Sequence, residues 1–178
     1  MIPKREEQQL HRLNADLDQL FQQLDGYSDE QLNRQPSPET WSPLMVARHL
    51  MLAEAYSLQY IRKKLSFTDE LPPAGIRSRL RSLVLEFYFG SPFKWKAPKA
   101  IGDSALLREA PYELGTIKSE WLEQRAQLRE LLESFPAGRY REEVYKHPFV
   151  GRLSPTGLLR FFQGHFNRHS KQIRQRLA

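Results

Sequence analysis

Leu10, Leu13, Leu17, Leu20 and Leu24 recur at alternating steps of three and four residues. A helix of about 3.6 residues per turn sets such a series on one face. The chain therefore opens with an amphipathic helix over about residues 4–24, ended near Gly26, whose leucine stripe must be covered by another element. A polar loop follows through Pro36-Ser37-Pro38.

The same periodicity returns in three later segments. A second helix begins at Ser42-Pro43, where serine suits the N-cap and proline the first helical position. It runs to about Leu65 with Met45, His49, Leu52, Ala53, Tyr56 and Tyr60 turned inward. A third covers about residues 112–135, with Ile117, Trp121, Leu128, Leu131 and Phe135 inward. Gln124 interrupts that stripe and reads as an interfacial glutamine near solvent. The fourth repeats the Ser-Pro start at Ser154-Pro155 and runs to about Arg176, with Leu158, Phe162, His165, His169 and Ile173 inward.

Two stretches are less regular. Residues 66–111 are broken by Pro72-Pro73, Gly75, Gly90-Ser91-Pro92 and Ala97-Pro98. Within them residues 76–89 form a short helix, Arg-rich on one side and carrying Leu, Val and Phe on the other. A crossover helix packed on the bundle is preferred there to a membrane-surface element. A connection this long usually covers a site or carries function. Residues 140–153 read as irregular or short β-like. The expectation is one all-α domain over residues 1–178, a four-helix bundle whose helix 2–3 connection is long and contains a short extra helix.

Composition narrows the chemistry. Hydrophobic residues make up 40 % of the chain, enough for a sizeable core. Cysteine is absent, which excludes disulfides, thiolate metal sites and a cysteine nucleophile, so any thiol must come from outside. No apolar run reaches the ~18 residues of a membrane span. The start, Met1-Ile2-Pro3-Lys4-Arg5-Glu6-Glu7, has no apolar leader, and the expected compartment is cytoplasmic. The net charge of +6 is concentrated in residues 151–178, where Arg152, Arg160, Arg168, Lys171, Arg174 and Arg176 meet no Asp or Glu. A second basic cluster comprises Arg77, Arg79, Arg81, Lys94, Lys96 and Lys99. In the absence of a nucleic-acid motif these read as solvated faces and helix-end charges rather than a nucleic-acid surface.

His49, His165 and His169 stand out against this background. The last two form an H-x-x-x-H step, which puts both imidazoles on one helical face. Any one of them alone is accounted for as a hydrogen-bonded core residue. Three on the inward stripes of two helices can converge on one cation if those helices pack together. Neutral imidazole suits zinc, nickel, copper and iron, and three protein ligands leave a position open for water or substrate. Arg48 and Arg168 would help keep the rings neutral. No carboxylate lies on these stripes, and Glu54 falls well around the helix from His49. His11 lies off the leucine stripe, and His147 reads as a loop residue before the fourth helix, with a place at the site mouth as the alternative.

The chain resembles the DinB/YfiT-like family. The matching residues are Trp41-Ser42-Pro43-Leu44 leading to His49-Leu50 and Ala53-Glu54, then Ala97-Pro98, then His147-Pro148-Phe149-Val150-Gly151 with Leu153-Ser154, and finally His165 with Arg168-His169 and Gln172-Ile173. The resemblance implies an up-down-down-up or similar four-helix bundle holding zinc or nickel on three histidines, which carry over to His49, His165 and His169. It also implies frequent homodimers and, for some members, thiol S-transferase activity with a low-molecular-weight thiol. Three functions follow as expectations. The first is a metal-dependent S-transferase that activates an external thiol for a small-molecule substrate. The second is a metal-dependent hydrolase. The third is a non-catalytic binding module that uses the basic surface.

Overall fold

The computed structural model describes residues 1–67, 70–91 and 110–177. In chain order the elements are α1 (Lys4–Leu24), α2 (Asp29–Asn33), α3 (Pro43–Phe67), α4 (Ile76–Gly90), α5 (Leu114–Glu133), a 3-10 turn (Ala137–Arg141), β1 (Tyr145–His147), β2 (Gly151–Leu153) and α6 (Pro155–Leu177). The long helices α1, α3, α5 and α6 are the expected four. Both Ser-Pro starts work as capped ends. Ser42 Oγ accepts from the Met45 N–H at 3.2 Å, and Ser154 Oγ accepts from the Gly157 N–H at 3.2 Å.

Side-chain pairs across the interfaces give the direction of each helix. Along α1 and α5, Asp25 meets Lys118, Asn14 meets Arg125 and Glu7 meets Arg129, so these helices are antiparallel. Along α3 and α5, Arg48 meets Glu120, Met51 meets Gln124, Glu54 meets Arg125 and Arg62 meets Gln127, so these are parallel. Glu6 with Thr156, Asp16 with Gln163 and Gln23 with Arg174 make α1 and α6 parallel. The bundle is therefore up-down-down-up. Both α5 and α6 pack against α1 and against α3, which leaves α1 and α3 on one diagonal. A diagonal step between consecutive helices needs a spanning connection. Its capped helix α2 also fixes the start of α5, through Asn33 paired with the Tyr112 backbone and Asp29 accepting from the Leu114 N–H.

The core has two apolar layers. One gathers Leu10, Leu13, Leu58, Ile61, Leu128 and Phe162, and the other Leu17, Leu20, Leu44, Leu50, Trp121 and Phe166. Between them lies a polar waist. Arg125 forks onto Glu54 at 2.7 and 2.8 Å, Trp121 Nε1 donates to the same carboxylate at 3.1 Å, and Arg125 also reaches Asn14. This waist corrects two expectations. Tyr56 and Tyr60 are not inward but 39 % exposed each, because the Glu54 carboxylate is drawn into the bundle and turns that face of α3 toward α5. Gln124 is buried rather than near solvent, donating to the Met51 carbonyl at 3.0 Å.

The short helix α4 packs on α6, as a crossover helix should. It buries Ser78, Ser82 and Leu85, while Ile76, Leu80, Leu83, Val84 and Phe87 are each more than half exposed. The larger apolar side thus faces outward. Glycines on α6 allow the close approach on the inner side. A Cβ on Gly157 would stand 2.8 Å from Ser82 Oγ, and one on Gly164 would stand 2.7 Å from Phe89 Cδ2. The β-like segment resolves into a hairpin in which Tyr145 faces Leu153 and His147 faces Gly151. Gly151 closes it at φ 86°, a left-handed conformation suited to glycine. Among the described residues no helix is long and apolar enough to cross a membrane.

Candidate metal centre

His49 lies near the start of α3, and His165 and His169 lie at the middle of α6 and one turn beyond it. Because α3 and α6 run in opposite directions, the three meet at one end of the bundle. His49 Nε2 and His165 Nε2 are 3.3 Å apart, and one nitrogen from each of the three rings lies within 4.8 Å of the others. The ring centroids are 4.7–5.1 Å apart with planes inclined by 67–87°, so ring edges rather than faces converge. Tetrahedral coordination with zinc–nitrogen bonds of about 2.0–2.1 Å requires nitrogens about 3.3–3.4 Å apart. The His49–His165 pair already has that separation.

The tautomers favour a shared cation. Gln172 Oε1 can only accept, so His169 donates its Nδ1–H to it at 2.7 Å and keeps its Nε2 lone pair free. His49 Nδ1 is buried without a partner among the described residues, so Nε2 is the polar outlet of that ring. Burial, reinforced by the charge of His169, pushes His49 down to about 3. Burial lowers His165 well below its ordinary value, with His169, His49, His147 and Arg168 adding to the effect. It takes His169 down to about 4, Gln172 opposing and Arg168 and Arg176 assisting. All three rings are thus neutral, the form that ligates. Arg168 plays the part expected of it. Arg48 does not, since its guanidinium is turned away to Glu120 on α5.

The triad opens onto a cleft of about 1070 Å³. Trp41, Tyr88, Phe89, Tyr145 and Phe161 supply aromatic walls, and Phe161 stacks on His165 at 5.5 Å. Arg168, Lys171 and Arg176 also line it, and the exposed Glu39 is the sole lining carboxylate among the described residues. Glu54 is committed to Arg125 inside the bundle.

His147 is the main difference from the expected loop residue. It ends β1, is buried, lines the cleft, and meets Phe161 edge-on at 4.6 Å. Its Nδ1 accepts from the Phe149 N–H at 3.3 Å, which leaves the ring proton on Nε2. Burial takes it down to about 4, so it too is neutral. The alternation of the strand placed it inward, a signal that a three-residue strand gives too weakly to read. His11 is exposed, as expected.

Gln172 was given no role from the sequence and Arg176 only that of a helix-end charge, although both follow His169 on the same helical face. The basic residues are largely engaged at the surface. Arg81 bridges Glu143 and the Arg152 carbonyl, Arg160 meets Glu86 at 3.4 Å, and Arg174 reaches Gln23. Lys94, Lys96, Lys99 and the Ala97-Pro98 element lie outside the described residues.

Comparison with known proteins agrees with this architecture. Among curated proteins no match is found. Among solved structures, the chain is similar to YfiT from Bacillus subtilis, described as a probable metal-dependent hydrolase with an unusual four-helix bundle topology. The identity is 18 % and the TM-score 0.61, covering 99 % of this chain and 88 % of that one, a likeness of fold. The pattern of the DinB superfamily matches residues 9–173, nearly the whole chain. The chain is a member of the DinB superfamily.

Proposed function

We propose that the chain is a metal-dependent enzyme that binds one divalent cation, zinc or nickel, on His49, His165 and His169. The observation that carries this reading is the convergence of three neutral imidazole nitrogens at the wall of an open cleft. A cation held there would supply a free coordination position and enough Lewis acidity to deprotonate a coordinated nucleophile at neutral pH. The protein's own part is to hold the three nitrogens, orient His169 through Gln172, and offer aromatic walls to a small substrate. His147, which also lines the cleft, would offer a neutral Nε2–H donor to that substrate.

The preferred reaction is transfer of an external low-molecular-weight thiol to an electrophile. Two observations support it. The chain has no cysteine, and Glu39 is the only carboxylate lining the cleft among the described residues. A thiol needs no strong base once coordinated, whereas water attack normally uses one. Hydrolysis is the second reading, favoured by the description of YfiT. A panel of thiols with a chromogenic electrophile, run beside amide and ester substrates on metal-loaded protein, separates them. Thiol turnover is expected, and hydrolysis without any thiol turnover would reverse the order.

We further propose a cytoplasmic protein that forms a homodimer, the latter supported by the exposed apolar stripe of α4, Ile76, Leu80, Leu83, Val84 and Phe87. Light scattering on wild type and Leu80→Glu tests it, with a change from dimer to monomer expected and an unaltered mass counting against this interface.

A further inference from the structure

Arg176 is the residue in the cleft whose chemistry the triad leaves unused. It stands seven positions beyond His169 on α6, two turns along the same face. Helical side chains lean toward the helix N-terminus, so a long arginine at that position covers the turn holding Gln172 and His169. Its influence on His169 agrees with this placement, for its positive charge is among the causes that depress that imidazole.

Its surroundings are unusual for arginine. Arg176 Nη1 is buried and has no hydrogen-bond partner among the described residues, and burial lowers the guanidinium below its ordinary value. The other cations along the cleft are differently placed. Arg168 donates to the Tyr88 and Ser91 carbonyls and lies over the Tyr88 ring at 5.1 Å, while Lys171 is exposed to water. A charged N–H buried without an acceptor is costly, so an anionic ligand that reaches the rest of this guanidinium from the cleft would supply charge the fold leaves unmatched. The one carboxylate on the cleft wall among the described residues, Glu39, is exposed to water.

We propose that Arg176 anchors a carboxylate of the substrate, so that the cleft selects small molecules with an acidic group a few bonds from the reacting atom. The planar fork of arginine matches a carboxylate in two parallel hydrogen bonds, and the aromatic walls suit an otherwise apolar body. This rests on the reading of the cleft as a metal-dependent active site. It adds to that reading a substrate class and a residue that sets it.

Calorimetric titration with succinate, its uncharged diamide succinamide and inorganic phosphate tests the proposal, on wild type, Arg176→Gln and Arg176→Lys. Each protein is measured both metal-free and loaded with cobalt, and the cobalt absorption spectrum reports separately whether the triad holds a cation. Wild type is expected to bind succinate at least tenfold more tightly than succinamide. Arg176→Gln should erase that preference with an unchanged melting temperature, and Arg176→Lys should retain part of it. Equal succinate affinity in wild type and Arg176→Gln overturns the anchor. Tighter binding of phosphate than of succinate overturns the carboxylate class. Protein that binds no cobalt but keeps the Arg176-dependent preference would contradict the metal reading and leave the anchor standing.

Discussion

His169 donates its Nδ1–H to Gln172 Oε1 at 2.7 Å, one turn further along α6. The contact fixes both the tautomer and the orientation of the ring, so the Nε2 lone pair faces His49 and His165. Removal of such a partner typically costs about 10–100-fold in metal affinity. Gln172→Leu should therefore weaken binding by that factor, measured by competition with a chromophoric chelator. Because Gln172 is half-buried at the cleft, its melting temperature in the metal-free form should change little. Undiminished affinity would mean that the ring is oriented by its packing alone.

The Glu54–Arg125 pair at the bundle's waist is wholly enclosed, with both side chains 3 % exposed. Breaking a buried pair from one side leaves an uncompensated charge and costs about 3–5 kcal/mol. Glu54→Ala and Arg125→Ala should each lose stability on that scale in urea denaturation. The double variant should lose much less than the sum of the two. Additive losses would show that the two groups act independently.

Stability of the metal-free protein should fall on mild acidification. His49 at about 3, His147 and His169 at about 4, and a strongly lowered His165 all sit beneath the ordinary value of 6.5. Between those values the unfolded chain takes up protons that the folded chain refuses. Stability is thus full above about 6.5 and is lost progressively as pH drops toward 4. The urea midpoint should decrease from pH 7 to pH 5, and a flat midpoint would contradict neutral, buried imidazoles.

Gly157 lets α4 approach α6, since a Cβ there would meet Ser82 Oγ at 2.8 Å and Leu153 Cβ at 3.3 Å. Overpacking of this kind costs about 1–3 kcal/mol. Gly157→Ala should be destabilised by that amount in a thermal or urea melt, despite alanine's better helix propensity. A stabilised variant would show that α4 is free to move off the bundle.

The fold was legible where a periodic stripe was long. The leucines of α1, the two Ser-Pro starts and the stripe from Ile117 to Phe135 marked four helices, and the H-x-x-x-H step on α6 with His49 on α3 brought out the triad. The direction of the helices depended on the resemblance, because apolar stripes do not say which neighbour they face. Tyr56 and Tyr60 were misread because the inward turn of α3 is set by Glu54, a residue that looks outward until Arg125 is placed opposite it. His147 was misread because its strand has only three residues, too few for alternation to show. Arg176 looked like a helix-end charge, and its place in the cleft lining, with no partner for Nη1 among the described residues, distinguishes it.

Metal analysis of the purified protein beside His49→Ala, His165→Ala and His169→Ala tests the central claim most directly. One equivalent of a divalent cation in wild type, lost in each variant while the helical circular dichroism is kept, is the predicted result. A wild-type protein that carries no metal and takes up none on reconstitution with zinc or nickel would contradict the account.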